Sequence, residues 1–164
     1  MKVKEICTWK PWVCPVDGSL ADAAQIMWDG DCGSVPIVDA ERKVVGMISD
    51  RDITMAALTK DRVPRSVGVR EVMTGDVFTC HPEDDVRLAL RTMGERRVRR
   101  LPVIDEQGRL QGILSISDCI RHAKPMFEVG EPGIPSDELL VALQALSTPW
   151  KTFFGKGVSR VGTR

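Results

Sequence analysis

The chain has 164 residues, 28% of them charged and 43% hydrophobic, and its 23 Lys plus Arg balance 23 Asp plus Glu to a net charge of zero. That is an ordinary globular composition, long enough for one compact domain or two small ones packed together, and its charge balance excludes a protein that coats nucleic acid through overall positive charge. No run of about 18 apolar residues is available to span a membrane, Met1-Lys2-Val3-Lys4-Glu5 lacks the apolar core of a signal peptide, and the expected compartment is the cytoplasm.

Taken in chain order, the elements come twice. Val3-Lys4-Glu5-Ile6-Cys7-Thr8 returns 66 positions later as Val69-Arg70-Glu71-Val72-Met73-Thr74, and the register holds without a gap. A short first strand carries Val13 in one copy and Thr79 in the other. Leu20, Ala23, Ala24 and Met27 fall on one face of a helix, as do Val86, Ala89, Leu90 and Met93. Val35-Pro36-Ile37-Val38 and Leu101-Pro102-Val103-Ile104 are apolar runs of strand length. A polar turn follows each (39–43, 105–109), then a second strand, Val44 to Ile48 or Leu110 to Leu114, so each pair reads as a hairpin. Ser-x-x-Asp then opens another helix, over 50–59 and 117–124.

The unit is therefore strand, helix, strand, strand, helix. About 60 residues bury too little surface to be stable alone, so the two units are expected to pack on each other around a pseudo-twofold axis. The predicted fold class is α/β (α+β): one β-α-β-β-α unit over 1–62, a second over 66–124, and a helical tail over 125–164. Lys60 to Ser66 reads as a surface crossover. In the tail, Pro125 to Pro135 reads as a loop and Ser136-Asp137-Glu138 as a helix start. Leu139, Leu143 and Leu146 share one face of that helix, with Leu140 beside it. Trp150, Phe153 and Phe154 form a second apolar cluster before a frayed end at Gly155 to Arg164. The helix is expected to dock on the core or on a dimer mate, the alternative being a partner-binding or anionic-surface element.

Cys7, Cys14, Cys32, Cys80 and Cys119 are odd in number and form no CxxC pair. They read as reduced packing residues, and with only His81 and His122 beside them they offer no zinc ligand set.

The repeated apolar-Pro strands (Val35-Pro36, Leu101-Pro102), the hairpins and the doubled Gly-x-apolar-Ser-x-x-Asp (Gly46 to Asp52, Gly112 to Asp118) resemble the CBS-domain family over residues 1–124. The resemblance implies a tandem pair with two ligand clefts between its domains. It further implies a non-catalytic regulatory module that needs no cofactor. The ligand would be an adenosine derivative: AMP, ADP, ATP, S-adenosylmethionine or a dinucleotide such as NAD. A homodimer and a regulated partner protein, whose identity the sequence does not give, are also implied.

A carboxylate can accept hydrogen bonds from both ribose hydroxyls, which makes Asp52 and Asp118 the ribose candidates. Ser49 and Ser115 stand three residues earlier, at a helix N-terminus that favours negative charge. The competing reading is that Ser-x-x-Asp only caps the helix. For phosphate, Arg97, Arg99 and Arg100 precede the second apolar-Pro strand, where family members often place basic residues, and Arg offers a planar donor fork. The first copy has no base there, so the site of Asp118 with Arg99 and Arg100 ranks ahead of that of Asp52, and Arg51 could serve either. A solvated helix end is the competing reading of the arginine run. Val13, Val35, Pro36, Thr79, Leu101 and Pro102 are the candidate adenine walls, with core packing as their alternative. Two further readings stay open: a ligand-free dimeric scaffold, and nucleic-acid binding through the arginines and basic tail. An enzyme is least favoured, because no His is paired with a nucleophile and no Walker-type glycine loop is present.

Overall fold

The computed structural model describes residues 1–124 and 133–148. Its elements are β1 (Thr8–Trp9), β2 (Cys14–Pro15), α1 (Leu20–Asp29), β3 (Ser34–Val38), β4 (Val44–Ser49) and α2 (Asp50–Thr59) in the first copy. The second copy has α3 (Val86–Arg96), β5 (Arg100–Ile104), β6 (Leu110–Ser115) and α4 (Ile116–Arg121), and β7 (Ala123–Lys124), β8 (Ile134–Pro135) and α5 (Ser136–Ser147) follow.

Local chemistry sets these boundaries. Ser19 and Asp22 cap α1 reciprocally, and Asp85 accepts from Arg87 N to start α3. α1 and α3 run out at equivalent left-handed residues, Asp31 (φ 45°) and Arg97 (φ 56°). In the hairpins, Asp39 Oδ1 accepts from Glu41 N and Lys43 N, and Asp105 Oδ1 from Gln107 N and Arg109 N. β3 pairs antiparallel with β4 and β5 with β6, each with one bulge.

The opening segment of each copy is exchanged with the other. β1 pairs with β6 of the second copy, and Thr74 bridges to Met47 of the first. Leu20 N donates to Val67 O (2.9 Å) and Val86 N to Met1 O (3.1 Å); Val69 N donates to Gly18 O (2.9 Å) and Val3 N to Asp84 O (3.0 Å). Val67 and Val69 are buried in the first core with Leu20, Val35 and Ile48, while Val3, Ile6 and Cys7 are buried in the second with Leu90, Met93 and Leu101. The bridge between Lys43 and Arg109, which are equivalent residues, lies on the pseudo-twofold axis. The expected boundaries 1–62 and 66–124 thus do not coincide with the two cores, because each core borrows an apolar segment from the other unit.

α4 is shorter than expected. It ends at Arg121, and Ala123–Lys124 becomes β7, paired parallel with β8. The tail helix α5 docks on α3, with Leu139 and Ala142 buried in the second core. A Cβ on Gly94 would lie 3.4 Å from Ala142 Cα, so the small residue permits this close approach. Arg87 and Glu138 form an ion pair across the same contact. The expected loop from Pro125, the Trp150, Phe153 and Phe154 cluster and the segment from Gly155 to Arg164 fall, wholly or in their larger part, outside the described residues. No described helix is long and apolar enough to cross a membrane.

Four cysteines are buried and Cys32 is half-buried. Burial pushes the thiols of Cys80 and Cys119 from an ordinary 9.0 up to about 12. Between those values the unfolded chain has lost protons that the folded chain still holds. The contribution of each such thiol is therefore complete below pH 9 and is lost above it, by about 1.4 kcal/mol per pH unit. Urea midpoints should drop between pH 8.5 and 10.5, and the Cys80→Ala/Cys119→Ala pair should flatten that dependence; an unchanged slope contradicts the assignment. The exchange makes a second prediction. Val3→Ala and Val69→Ala should each cost roughly 2 kcal/mol and shift one shared urea transition, whereas two separated transitions would mean that the copies fold independently.

Candidate functional site

Both Ser-x-x-Asp motifs form full capping boxes. Ser49 Oγ accepts from Asp52 N (3.3 Å), while Asp52 Oδ2 accepts from Ser49 N (2.9 Å) and Ser49 Oγ (2.7 Å). Ser115 Oγ accepts from Asp118 N (3.2 Å), and Asp118 Oδ2 accepts from Ser115 N (2.7 Å) and Ser115 Oγ (2.6 Å). The capping reading therefore holds for all four residues, and one oxygen of each carboxylate is committed to it. The second oxygens differ. Asp118 Oδ1 is ion-paired with Arg121 of its own helix, and Asp118 is 3% exposed. Asp52 is half-buried, and its Oδ1 accepts no hydrogen bond among the described residues.

Each carboxylate lines a hollow between the copies. The first, about 210 Å³, has Ser34, Met47, Ile48, Ser49 and Asp52 on one wall. Its other wall is Thr74, Asp76, Val77, Phe78, Val98, Arg99 and Arg100. The second, about 240 Å³, has Thr8, Pro11, Trp12, Gly30, Cys32, Ser34 and Pro36 facing Arg100, Ile113, Ser115, Asp118 and Arg121. A shift of 66 residues carries most of one lining onto the other: Thr74 onto Thr8, Phe78 onto Trp12, Met47 onto Ile113, Arg100 onto Ser34. Larger hollows of about 440, 540 and 410 Å³ lie on the helix faces, but none is lined by Ser49, Asp52, Ser115 or Asp118.

The exchanged topology corrects the expected grouping. Arg99 faces Asp52 across the copies, not Asp118, and Arg100 lines both hollows. The arginine pair expected beside Asp118 and the uncommitted Asp52 oxygen meet in the first hollow. Arg97 lines neither hollow, because it is the left-handed residue that terminates α3. Arg51 is exposed on the first turn of α2 and also lines neither. Of the six expected adenine walls, only Pro36 lines one of these two hollows. Val35 and Leu101 are wholly buried in the two cores, and Pro102 is buried beside Leu101, its carbonyl accepting from Cys80 N. Val13 and Thr79 are half-buried outside both linings.

The walls that sequence reasoning missed are Met47, Val77, Phe78 and Val98, together with Trp12 in the second hollow. The repeat register held a usable signal, since Trp12 and Phe78 are aligned aromatics. Their supports differ. A Cβ on Gly30 would lie 2.5 Å from Trp12 Cδ1, so the indole needs that glycine. The aligned Arg96 instead sits 4.8 Å over the Phe78 ring. Arg121 was missed too, although three residues after Asp118 is a facing position on a helix. Among the described residues, no three of His, Cys, Asp and Glu come together as a metal site.

The family model of the CBS domain matches residues 3–59 and again 69–124. Over 142 residues the chain is 37% identical to an uncharacterized 17.7 kDa protein of Acidianus ambivalens, covering 81% of this chain and 85% of that one. It is 31% identical over 122 residues to an inosine-5'-monophosphate dehydrogenase of Methanocaldococcus jannaschii, covering 74% of this chain but only 22% of that protein. Among solved structures, the CBS domain pair of protein MJ0100, in complex with 5'-methylthioadenosine and S-adenosyl-L-methionine, superposes with a TM-score of 0.67 at 29% identity, over 74% of this chain and 94% of that one. CBSX2 in complex with AMP gives 0.63 at 25%, over 73% and 93%.

The capping boxes set a measurable difference. Ser49→Ala and Ser115→Ala should each destabilise by about 1 kcal/mol in urea denaturation. Ser115→Ala should cost more, because it strips a partner from the more deeply buried carboxylate; equal or reversed losses contradict the burial argument.

Proposed function

Because the chain belongs to the CBS domain family and carries two copies of that domain, we propose that it is a non-catalytic regulatory sensor that takes an adenosine-containing ligand, AMP by preference, into the hollow of Asp52. The observation that carries this reading is the meeting, across the copies, of an uncommitted Asp52 oxygen with Arg99 and Arg100 beside an aromatic ring. Asp52 Oδ1 accepts from the ribose hydroxyls, Arg99 and Arg100 meet the phosphate, and Met47, Val77, Phe78 and Val98 supply the apolar slot that adenine needs. The start of α2, just behind Ser49, adds favourable dipole for an anion. The adenosine ligands of the MJ0100 and CBSX2 structures support the ligand class.

A homodimer is part of the proposal. Trp28 is 83% exposed on α1, at the position where Gly94 of the second copy receives α5. Leu58 of α2 is also exposed, so the first copy's helix face keeps apolar area that α5 covers on the second. The same face supports the dimeric scaffold as a second reading.

A thermal-shift panel tests the ligand. At a hundred times Kd, binding adds about 2.7 kcal/mol, and about 2–4 °C per kcal/mol at this size gives a Tm rise of roughly 5–11 °C. AMP should produce it. Asp52→Asn should weaken AMP and adenosine alike, by roughly tenfold to a hundredfold for a lost bond to a charged group. Arg99→Ala/Arg100→Ala should weaken AMP and leave adenosine unchanged. No shift with AMP, ADP, ATP, S-adenosylmethionine or NADH at millimolar levels leaves the scaffold reading in place of the sensor.

A further inference from the structure

The two hollows are equivalent in backbone and unequal in chemistry. Three differences all fall on the second. First, Arg121 is ion-paired with Asp118, so both carboxylate oxygens there have protein donors. The aligned residue in the first copy is Met55, which has no charge to offer Asp52. Second, Arg99 lines only the first hollow and its aligned residue is Gly33, although Arg100 lines both. Third, the bulkier Trp12 takes the place of Phe78.

A ribose entering the second hollow would compete with a guanidinium for a carboxylate whose side chain is 4% exposed. Neutral hydroxyls make weaker bonds to a carboxylate than a charged donor does. In the first hollow, no described residue pairs with Asp52 Oδ1. We infer that this chain holds one adenosine ligand rather than two, because Arg121 occupies the carboxylate that the second hollow would otherwise present. The inference rests on the nucleotide reading above and makes Arg121 the residue that sets the stoichiometry. The Arg121 side chain is 63% exposed, so its replacement leaves the second core intact.

Calorimetric titration with AMP is the test, on the wild-type chain, Asp52→Asn and Arg121→Met, the last installing the first copy's residue. The wild type should bind one equivalent per chain, Asp52→Asn should bind at least tenfold more weakly, and Arg121→Met should take up a second equivalent. Photolabelling with 8-azido-AMP gives an independent readout. It should mark a peptide containing Met47 or Phe78 in the wild type, and that containing Trp12 as well only in Arg121→Met. Two equivalents in the wild type, or wild-type labelling of the Trp12 peptide, leave the nucleotide reading standing and overturn the single-site inference. One equivalent in Arg121→Met, at an unchanged melting temperature, also overturns it. An absence of AMP binding in both proteins instead overturns the nucleotide reading itself.

Discussion

The molecule depends on the exchange of two short apolar segments. Val3, Ile6 and Cys7 complete the second core, and Val67 and Val69 complete the first. Without the loan each unit would expose the floor of its core, and a unit of about 60 residues has little stability to spare. Paired backbone hydrogen bonds, Leu20 N to Val67 O against Val86 N to Met1 O, fix the exchange in the same register on both sides. The two copies are one cooperative body for this reason, and the pseudo-twofold axis follows from it.

The same exchange builds the clefts. Carrying Thr74 to the edge of β4 brings Asp76, Val77 and Phe78 against the Ser49–Asp52 turn. Carrying Thr8 to the edge of β6 brings Pro11 and Trp12 against the Ser115–Asp118 turn. Each hollow therefore has one wall from each copy, and residues distant in sequence become neighbours. Symmetry of the backbone then lets sequence differences act alone. Arg121 against Met55, Arg99 against Gly33 and Trp12 against Phe78 make the two hollows chemically unequal. α5 adds a second asymmetry, since Gly94 admits it where the first copy has Trp28.

Most of the fold was legible because the repeat supplied its helices and hairpins twice. The helix faces at Leu20 and Val86 and the hairpins at Asp39 and Asp105 came from periodicity and turn chemistry that act within a few residues. The exchange was not legible: Val3-Lys4-Glu5-Ile6 reads the same whether it packs on its own unit or the other. That single non-local choice decides which carboxylate meets Arg99. Whether Val35 and Leu101 are cleft walls or core residues stayed open for a related reason. Strand alternation gives two faces and not which one is the core. The capping roles of Ser49, Asp52, Ser115 and Asp118 were legible, since capping geometry is local, but the ion pair that separates Asp118 from Asp52 depends on side-chain geometry that the motif does not encode.

The most direct measurement is a crystal structure of the full chain grown with saturating AMP. The account requires ribose hydroxyls on Asp52 Oδ1, phosphate oxygens within hydrogen-bonding reach of Arg99 or Arg100, and the base against Phe78. Nucleotide density confined to the Asp118 hollow or to a helix-face hollow, with the Asp52 side empty, would contradict it.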